Sequence, residues 1–524
     1  MTRLVTLLSI LLLVACSGPI PLDTILDRGE TLHLQGARPT TLDPAQAGDS
    51  TSWSYLLQIF SGLVKLDNQL NVVPDLSDRW DVSADGMKYQ FHLRPGVKFH
   101  SGRDVTPGDF KYAMERALNP ATKSPIAKQY LGDIVGAQDV LDGKRTDLRG
   151  VTVVDQSTLG IEIDAPKSYF LAKLTFPTAF PLDRANVESG PNWFEKPNGT
   201  GPFRVVSWEK DSKLTLQRFN QHWTGPAKIK SVEFDLSALP GIVLYERGDV
   251  DVTEVDLGSL DRVSDPSSPL KRELVEAPIL STWYVGFNVK QPPFDDPIVR
   301  RAFALATDRD RLVDVYFKGT RSKADTILPP GLPLRSNDVH APRLDVASAR
   351  KLLAGSRYAG RMPEIILSVG EGGSGTGEAL ADMYARNLGV DVGVHEYRQN
   401  FFQALDAHEP QMFFTGWVAD YPDPEDFLDL LFHTGTRTNY GGYSSPELDR
   451  LLEQARTTAD ADQRAELYRQ AEQRILDDAA AIPIHHEVVH ALVRPYVTGL
   501  VWTPLGVLSY HDVEIGQRPA KRAA

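Results

Sequence analysis

The stretch between residues 411 and 432 constrains the fold of this chain more than any other. Gln411 to Val418 (QMFFTGWV) is apolar and aromatic, as a buried strand is, and Pro422 and Pro424 stop regular pairing just after it. Helical spacing of apolar residues begins at Asp426. The pattern predicts a strand, a tight turn and a helix, which is the repeating unit of an α/β fold.

Asp420 lies in that turn, just past the carboxyl end of the predicted strand. Ligands bind at this end of α/β sheets, because the loops there open into a crevice. Trp417 and Tyr421 would partly desolvate the Asp420 carboxylate, which would then favour a cationic partner such as an ammonium group. The alternative is that Asp420 only caps the turn, as aspartate before a proline turn often does. Asp423 and Glu425 are interpreted as turn and helix-start residues.

The length of 524 residues exceeds what one hydrophobic core can organise and indicates roughly three or four domain-sized units. The formal net charge of −13 argues against a nucleic-acid-binding surface, which needs clustered Lys and Arg. No apolar run after the N-terminal segment reaches the roughly 18 residues of a membrane-spanning helix. We therefore predict a large globular body without nucleic-acid contacts.

The N-terminus has the pattern of a bacterial lipoprotein signal. Arg3 precedes an apolar run from Leu4 to Val14, which ends in small residues before Cys16. We predict a signal peptide over residues 1–15 and a linker over 16–29. Cys16 is the only cysteine, so no intramolecular disulfide can form, and lipidation of its thiol would anchor the protein to a membrane outside the cytoplasm. An unmodified cysteine in an ordinary signal peptide is the alternative.

Five ordered blocks resemble a known family, the dipeptide- and oligopeptide-binding proteins of ABC importers (solute-binding protein family 5). The blocks are VPDLSDRWDVSADGMKYQFHLRPGVKFHSGRDVTPGDFKYAMERAL (73–118), NGTGPF (198–203), LYERGDVD (244–251), VGFN with PPFDDPIVRRA (285–288 and 292–302), and the segment with the W..D pattern (417–420). Together they extend over most of the chain.

The resemblance implies an α/β fold of two lobes, the periplasmic-binding-protein fold of type II and cluster C, with an extra domain inserted in the first lobe. The chain would cross between the lobes near residues 277–284 and 483–489. The implied parts are lobe I (30–58, 176–278 and 486–516), the extra domain (59–175), lobe II (279–485) and a C-terminal tail (517–524). Alternating strand and helix patterns independently indicate an α/β fold.

The resemblance also implies function: the chain would capture short peptides in the cleft between the lobes by hinge closure and deliver them to an ABC importer permease. Asp420 matches the family's aspartate that accepts the peptide α-ammonium, and Trp417 and Tyr421 flank it. Main-chain groups of Gly416 and Val418 would meet the peptide backbone like an added strand. Further expected ligand contacts are Tyr284, Asn439 and Tyr443, although the aromatic residues would fit a core equally well.

The expected protein is a monomer outside the cytoplasm, with no cofactor, no metal and no catalytic residue. One departure from the family pattern concerns Phe414, which stands where some members have an arginine that meets a ligand carboxylate. Peptide length therefore stays open. A non-peptide solute such as a nickel complex, haem or an oligosaccharide is the alternative within the same fold.

Two motifs point to other chemistry. His486, Glu487 and His490 match the HExxH pattern of zinc hydrolases, but the surrounding β-branched residues predict a strand. On a strand the two imidazoles would stand about 13 Å apart, too far for one zinc ion, so a zinc hydrolase is the less favoured alternative. The glycine-rich segment 370–375 matches GxGxxG, and we interpret it as a flexible strand-to-helix loop.

Overall fold

The computed structural model describes residues 30–518, and the predicted signal peptide and Cys16 lie outside the described residues. No helix in 30–518 is long and apolar enough to cross a membrane. The strands are β1 (Thr31–Gln35), β2 (Val64–Leu66), β3 (Val72–Pro74), β4 (Ser77–Val82), β5 (Lys88–Leu93), β6 (Val151–Val153), β7 (Thr158–Glu162), β8 (Phe203–Glu209), β9 (Lys213–Arg218), β10 (Ser231–Asp235), β11 (Val252–Glu254), β12 (Leu274–Pro278), β13 (Ser281–Phe287), β14 (Ser322–Lys323), β15 (Ile365–Gly370), β16 (Val392–Tyr397), β17 (Met412–Val418), β18 (Ala481–His486), β19 (Val488–Val493), β20 (Val497–Thr498) and β21 (Glu514–Ile515).

The α-helices are α1 (Ser50–Ile59), α2 (Pro107–Leu118), α3 (Ala127–Leu131), α4 (Ala137–Leu141), α5 (Phe170–Lys173), α6 (Arg184–Val187), α7 (Gly241–Arg247), α8 (Leu257–Ser264), α9 (Pro297–Ala306), α10 (Arg309–Arg311), α11 (Val346–Ala354), α12 (Ser374–Leu388), α13 (Phe401–Asp406), α14 (Leu430–Phe432), α15 (Pro446–Thr457) and α16 (Ala461–Asp477). Single π-helical turns cover Leu312–Tyr316 and Glu425–Asp429.

Seven strands form the first sheet, in the order β12-β19-β11-β1-β10-β9-β8. Strand β1 pairs in parallel with β10 and β11, and the remaining pairs are antiparallel. Leu32 and Leu34 of β1 are buried with Val232 and Phe234 of β10 in one core, because alternate side chains of these strands face the same side. All seven strands come from the segments expected for lobe I.

Six strands form the second sheet, in the order β14-β18-β13-β17-β15-β16. Strand β17 lies between β13, which is antiparallel to it, and β15, which is parallel. Val285, Val369 and Phe303 are fully buried in the core that this sheet shares with α9 and α12. These strands come from the segment expected for lobe II.

A four-stranded antiparallel sheet, β4-β5-β7-β6, organises the region expected for the extra domain. Strand β5 buries its alternating Tyr89 and Phe91. Helix α2 has Pro107 in its first turn, and the Asp109 carboxylate accepts the Thr106 N–H at 2.8 Å, which caps its start.

The chain changes sheet twice. Strand β12 of the first sheet is followed by β13 of the second, with only Ile279 and Leu280 between them, and Glu487 alone separates β18 from β19. The two crossings touch, since Ile279 N–H donates to the Glu487 carbonyl oxygen at 3.2 Å. We propose on this basis the division into two lobes and an inserted domain that the sequence led us to expect.

Some element boundaries differ from the predictions. The charged amphipathic region over 451–480, where apolar residues recur at helical spacing, consists of α15 and α16. Asp460 ends the continuity because its side chain accepts the Gln463 N–H at 2.9 Å and starts a new helix. The helix expected from Asp426 begins instead as the π-helical turn Glu425–Asp429 before α14.

Candidate functional site

The end of β17 has an edge without a strand partner. Strand β17 pairs with β13 along its whole length but with β15 only as far as Phe414, and within 30–518 no other strand pairs beyond that point. Ala419 N–H donates to the Leu280 carbonyl oxygen at 2.8 Å. In an antiparallel pair, alternate residues direct their main-chain groups toward the partner strand, so this bond fixes which residues of β17 face β13. The main-chain groups of Gly416 and Val418 therefore point to the unpaired side, where an extended ligand could bind them.

Trp283 covers this end of the strand. It lies opposite Gly416 in the register, and a Cβ atom on Gly416 would stand 2.6 Å from the Trp283 indole. Glycine is thus the residue that lets the ring lie against the main chain. The indole also stacks on His485, with ring centroids 5.7 Å apart, and packs 5.5 Å from Phe414. Phe414 is buried in this aromatic cluster.

Asp420 extends from the β17 turn toward the extra domain. Its half-buried carboxylate accepts the Tyr130 hydroxyl and, at 3.3 Å, the side-chain amide of Gln129, both on α3. Burial raises the pKa of Asp420 to about 7. The two hydrogen bonds lower the pKa and offset only part of this effect. A carboxyl group with this pKa and no cation beside it gains from a bound ammonium group.

The turn is capped by other residues, so the alternative that Asp420 is only a turn cap is wrong. The Asp426 carboxylate accepts the main-chain N–H of Asp420 at 3.0 Å and the Trp417 indole N–H at 3.1 Å. Asp423 accepts the Glu425 N–H at 2.9 Å. Asp426 is fully buried, one of its oxygens has no hydrogen-bond partner, and burial raises its pKa well above the usual range.

Asp423 and Glu425 do more than the sequence interpretation assigned to them. Asp423 forms a buried bidentate pair with Arg464, at 2.7 and 2.8 Å. The Lys173 ammonium lies 3.3 Å from Glu425 and 3.1 Å from Asp133, and its side chain is 4% exposed. The Lys173–Glu425 pair joins lobe II to the extra domain, whereas Asp423 and Arg464 both belong to lobe II. The sequence gives no local signal for them, since the partners lie far apart in the chain.

The structure places two aromatic residues of the predicted site in the core. Tyr284 is buried between Phe413 and Phe432, with centroid distances of 6.3 and 6.4 Å. Tyr421 is fully buried, and its hydroxyl donates to Glu425. Because these rings are enclosed by protein on all sides, the expectation that they line the cleft is not supported, and the core alternative fits them better.

Asn439 and Tyr443 organise their own loop. The Asn439 side-chain amide donates to the carbonyl oxygens of His433 and Tyr443 at 3.1 and 2.8 Å and accepts the Tyr443 N–H at 3.0 Å. The Tyr443 hydroxyl donates to Asp478 at 2.7 Å. With their polar atoms engaged inside lobe II, these two residues do not support the predicted ligand contacts.

The HExxH segment is not a zinc site. His486 ends β18 and His490 lies in β19, and their ring nitrogens donate to the carbonyl oxygens of Ser281 and Thr320 at 2.7 and 3.0 Å. No group of three His, Cys, Asp or Glu side chains in residues 30–518 could hold a metal ion. The zinc-hydrolase alternative fails because the strands direct the two imidazoles to different partners. Segment 370–375 is a loop between β15 and α12, as interpreted.

A charged cluster that the sequence analysis missed lies between the lobes. The Arg321 guanidinium is 2.7 Å from the Glu487 carboxylate and also donates to the Val488 carbonyl oxygen at 3.2 Å. Arg321 belongs to no recognisable motif, so only the fold reveals its contact with Glu487.

A separate cavity of about 550 Å³ lies between α1 and residues 503–512. It is lined by Trp53, Asp75 and His222, among others, and by none of residues 416–421. The cavity therefore does not belong to the site around Asp420.

Comparison with known proteins agrees with this arrangement. Residues 71–439 match the family model described as bacterial extracellular solute-binding proteins, family 5. The probable deoxycholate-binding periplasmic protein YgiS of Escherichia coli K12 is 31% identical over 482 residues, 88% of this chain and 88% of that protein. The dipeptide-binding protein DppE of Bacillus subtilis is 28% identical over 497 residues, 90% of this chain and 89% of that protein.

The fold is also similar to that of a solved structure. The murein tripeptide binding protein MppA of E. coli superimposes with a TM-score of 0.85 at 26% identity, covering 94% of this chain and 100% of that one. The unliganded open form of MppA gives a lower TM-score, 0.72. From the family match and the extent of these similarities, the chain belongs to the bacterial extracellular solute-binding proteins of family 5.

Proposed function

We propose that this protein is the solute-binding component of an ABC importer and that it captures short peptides with a free amino terminus. The observation that carries the proposal is Asp420, a carboxylate without a cation, at the end of a strand edge with free main-chain groups. The edge would bind the peptide backbone whatever the side chains are, and Asp420 would bind the α-ammonium.

Hinge closure is the mechanism that the geometry favours. Two short, adjacent crossings connect the lobes, and the contact between Tyr130 and Asp420 joins the extra domain to lobe II. The higher similarity to MppA than to its open form supports a closed arrangement. A peptide that bridges the lobes would shift the balance toward this arrangement by its contacts with both, and the permease would receive the closed complex.

The names of the relatives support a peptide, with one exception. DppE and MppA are described as dipeptide- and murein-tripeptide-binding proteins, whereas YgiS is described as a probable deoxycholate-binding protein. A bile-acid anion has no amine, and it would bring a carboxylate toward the carboxyl group of Asp420. Like charges at close range disfavour that complex, so the peptide is the better candidate.

The membrane link completes the proposal. The relatives YgiS and MppA are named as periplasmic proteins, and we place this protein outside the cytoplasm, anchored as a monomer through lipid on Cys16. Metabolic labelling with a palmitate analogue should mark the protein, and Cys16→Ala should remove the label. Labelling that survives the substitution would exclude Cys16 as the lipid site.

The amine contact is tested by replacing Asp420. Asp420→Asn should weaken binding of free-amine peptides by about 2 to 5 kcal/mol, because it removes one side of a partly buried charge pair. Isothermal titration calorimetry with a tripeptide and its N-acetylated form gives the measurement. Equal affinity of the wild-type protein for both forms would refute recognition of the amine.

A further inference from the structure

The cavity between α1 and residues 503–512 is large enough for a small organic ligand. Its volume of about 550 Å³ lies in the range of protein sites that bind such molecules. Apolar side chains form much of its wall, among them Leu57, Phe60, Phe180, Leu505 and Val507. None of residues 416–421 lines it, so it needs an explanation of its own.

A buried carboxylate without a cation lies in the wall of this cavity. Asp75 is 4% exposed and accepts the Gly62 main-chain N–H at 3.2 Å. No lysine, arginine or histidine within 30–518 comes within ion-pair distance of it. Lys65 also lines the cavity, but its ammonium group lies over the Trp223 ring, 5.7 Å from the ring centroid. A buried carboxylate in this position gains from a cation that enters the cavity.

Two buried ring nitrogens at the cavity also lack partners. Trp53 is 5% exposed and His222 is 9% exposed, and within the described residues Nε1 of Trp53 and Nε2 of His222 have no hydrogen-bond partner. The other ring nitrogen of His222 is engaged, since Nδ1 lies 2.8 Å from the Thr224 hydroxyl. Burial lowers the pKa of His222 to about 3, so its ring is neutral and does not repel a cation. The Trp53 N–H can only donate, so it would bind an oxygen atom of a ligand.

The charged residues of the wall favour a cationic ligand over an anionic one. Asp67 and Asp512 line the cavity together with Asp75, whereas Lys65 is the only lysine among the described residues that line it, and no arginine is among them. A cavity in which carboxylates outnumber cations attracts positive charge. The aromatic face of Trp53 adds to this preference, because cations are also attracted to indole rings.

We propose that this cavity binds a small organic amine that has an apolar body and a carbonyl or hydroxyl group. Asp75 pairs with the ammonium group, the Trp53 N–H donates to the ligand oxygen, and the apolar wall packs against the rest of the ligand. The site is independent of the proposed peptide function, because its residues take no part in the site around Asp420.

A row of aromatic rings connects the two sites. Trp53 stacks on Phe176 with ring centroids 5.8 Å apart, and Phe176 stacks on Tyr130 at 3.8 Å. The Tyr130 hydroxyl donates to Asp420. An amine would thus find a carboxyl group at either end of the row, Asp75 or Asp420, and a binding experiment has to distinguish the two.

Three matched compounds test the site by calorimetry on the full-length Asp420→Asn variant, in which the second carboxyl group is removed. Phenylalaninamide carries the ammonium group, the carbonyl group and the apolar ring. Hydrocinnamamide lacks only the ammonium group, and phenethylamine lacks only the carboxamide. We expect phenylalaninamide to bind about ten- to a hundred-fold tighter than hydrocinnamamide and about three- to ten-fold tighter than phenethylamine.

Substitutions added to this variant assign the binding to the cavity. Asp75→Asn keeps an acceptor for the Gly62 N–H but removes the charge, so the preference for phenylalaninamide over hydrocinnamamide should fall to within about three-fold. Asp81→Asn is the matched control, because Asp81 pairs with His92 at 2.9 Å on the surface and does not line the cavity. It should leave all three affinities unchanged.

A second substitution fills the cavity without changing its charge. Leu57→Trp adds a large side chain to the wall and should weaken binding of all three compounds at least about ten-fold. Thermal denaturation shows whether each variant is folded. If Leu57→Trp does not fold, the comparison between Asp75→Asn and Asp81→Asn still decides.

The possible outcomes also separate this site from the proposed function. Equal affinity for phenylalaninamide and hydrocinnamamide would overturn the amine site, and so would a preference that survives Asp75→Asn. If the wild-type protein binds phenylalaninamide and Asp420→Asn does not, the amine binds only at Asp420, so the cavity site fails while the peptide function stands. If phenylalaninamide binds as expected but no free-amine peptide does, the cavity site stands and the peptide function fails.

Discussion

Lobe II meets its two neighbours through very different charged surfaces. Toward the extra domain, Lys173 is 4% exposed and lies between Asp133 and Glu425. Toward lobe I, the charges are more accessible: Lys318 contacts Asp261, with side chains 44% and 65% exposed. The Lys173 cluster is buried and its cation has two carboxylate partners, whereas the Lys318 pair is exposed to solvent.

The difference separates a buried charge cluster that supports the structure from exposed pairs that contribute little to it. At the extra-domain surface Lys173 has two buried carboxylate partners, so removing the cation leaves uncompensated charges. On the lobe I side solvent screens the exposed pairs. We expect substitutions in the Lys173 cluster to change stability, and substitutions at Asp420 and the unpaired edge of β17 to change binding.

The largest expected effect is that of Lys173→Met. The substitution leaves Asp133 and Glu425 buried without their cation, and it should lower the free energy of unfolding by about 3 to 5 kcal/mol. Urea denaturation followed by circular dichroism measures the change. Lys88→Met is the control in the same domain, since Lys88 and Glu162 form an exposed pair, and it should stay within about 0.5 kcal/mol. A loss below 1 kcal/mol for Lys173→Met would contradict the comparison.

Peptide affinity should depend on pH through Asp420. In the ligand-free protein its pKa is about 7, so below that pH the carboxyl must release a proton before it can pair with an ammonium group. Affinity should fall about ten-fold per pH unit below 7 and fall again above about 8, where the peptide amine loses its proton.

Calorimetry between pH 5 and pH 9 measures this profile. In Asp420→Asn the loss of affinity below about pH 7 should disappear, because no carboxylate then takes part. The loss of affinity above about pH 8 should remain, but it should be less steep. A wild-type affinity that is constant between pH 5 and 7 would show that Asp420 is not the group that pairs with the ligand.

Gly416→Ala should weaken peptide binding by about 1 to 3 kcal/mol, the usual cost of an added methyl group in a packed site. The new Cβ would meet the Trp283 indole at 2.6 Å and displace it from the strand. Gly393→Ala in β16 of the same sheet is the control, because its nearest contact is 3.6 Å. Equal affinities of the two variants would show that the indole position does not matter for binding.

The smallest expected effect is that of Lys318→Met, which removes an exposed contact between the lobes. The change in ligand affinity should be less than about 1 kcal/mol and should vanish at high salt, because solvent screens this pair. Affinity measured at low and high salt tests it. A ten-fold loss that persists in high salt would place Lys318 among the groups that matter for closure.

The sequence predicted those features that depend on local pattern. The apolar run before Pro422 predicted β17. The family resemblance then directed attention to Asp420, whose local sequence alone favoured the role of a turn cap. Gly416 and Val418 have no strand partner on one side because β15 pairs with β17 only as far as Phe414. No local pattern reveals where that pairing ends.

Other parts of the site depend on contacts between distant segments. Glu425 and Lys173 are 252 positions apart, and Arg321 and Glu487, which form an ion pair, also come from distant parts of the chain. Tyr284 shows a different limit of sequence analysis. Aromatic residues are common both in cores and in ligand sites, so the residue type alone does not tell which of the two Tyr284 faces. Strand alternation decides between these, and the register with β17 places Tyr284 on the opposite face from Trp283.

Glu487 joins the two sheets as a single residue, and its carboxylate belongs to the cleft. A group on the axis of a rotation moves least when the two halves separate. Under the proposed hinge motion the pivot itself therefore carries a charge that stays in place while the lobes open and close.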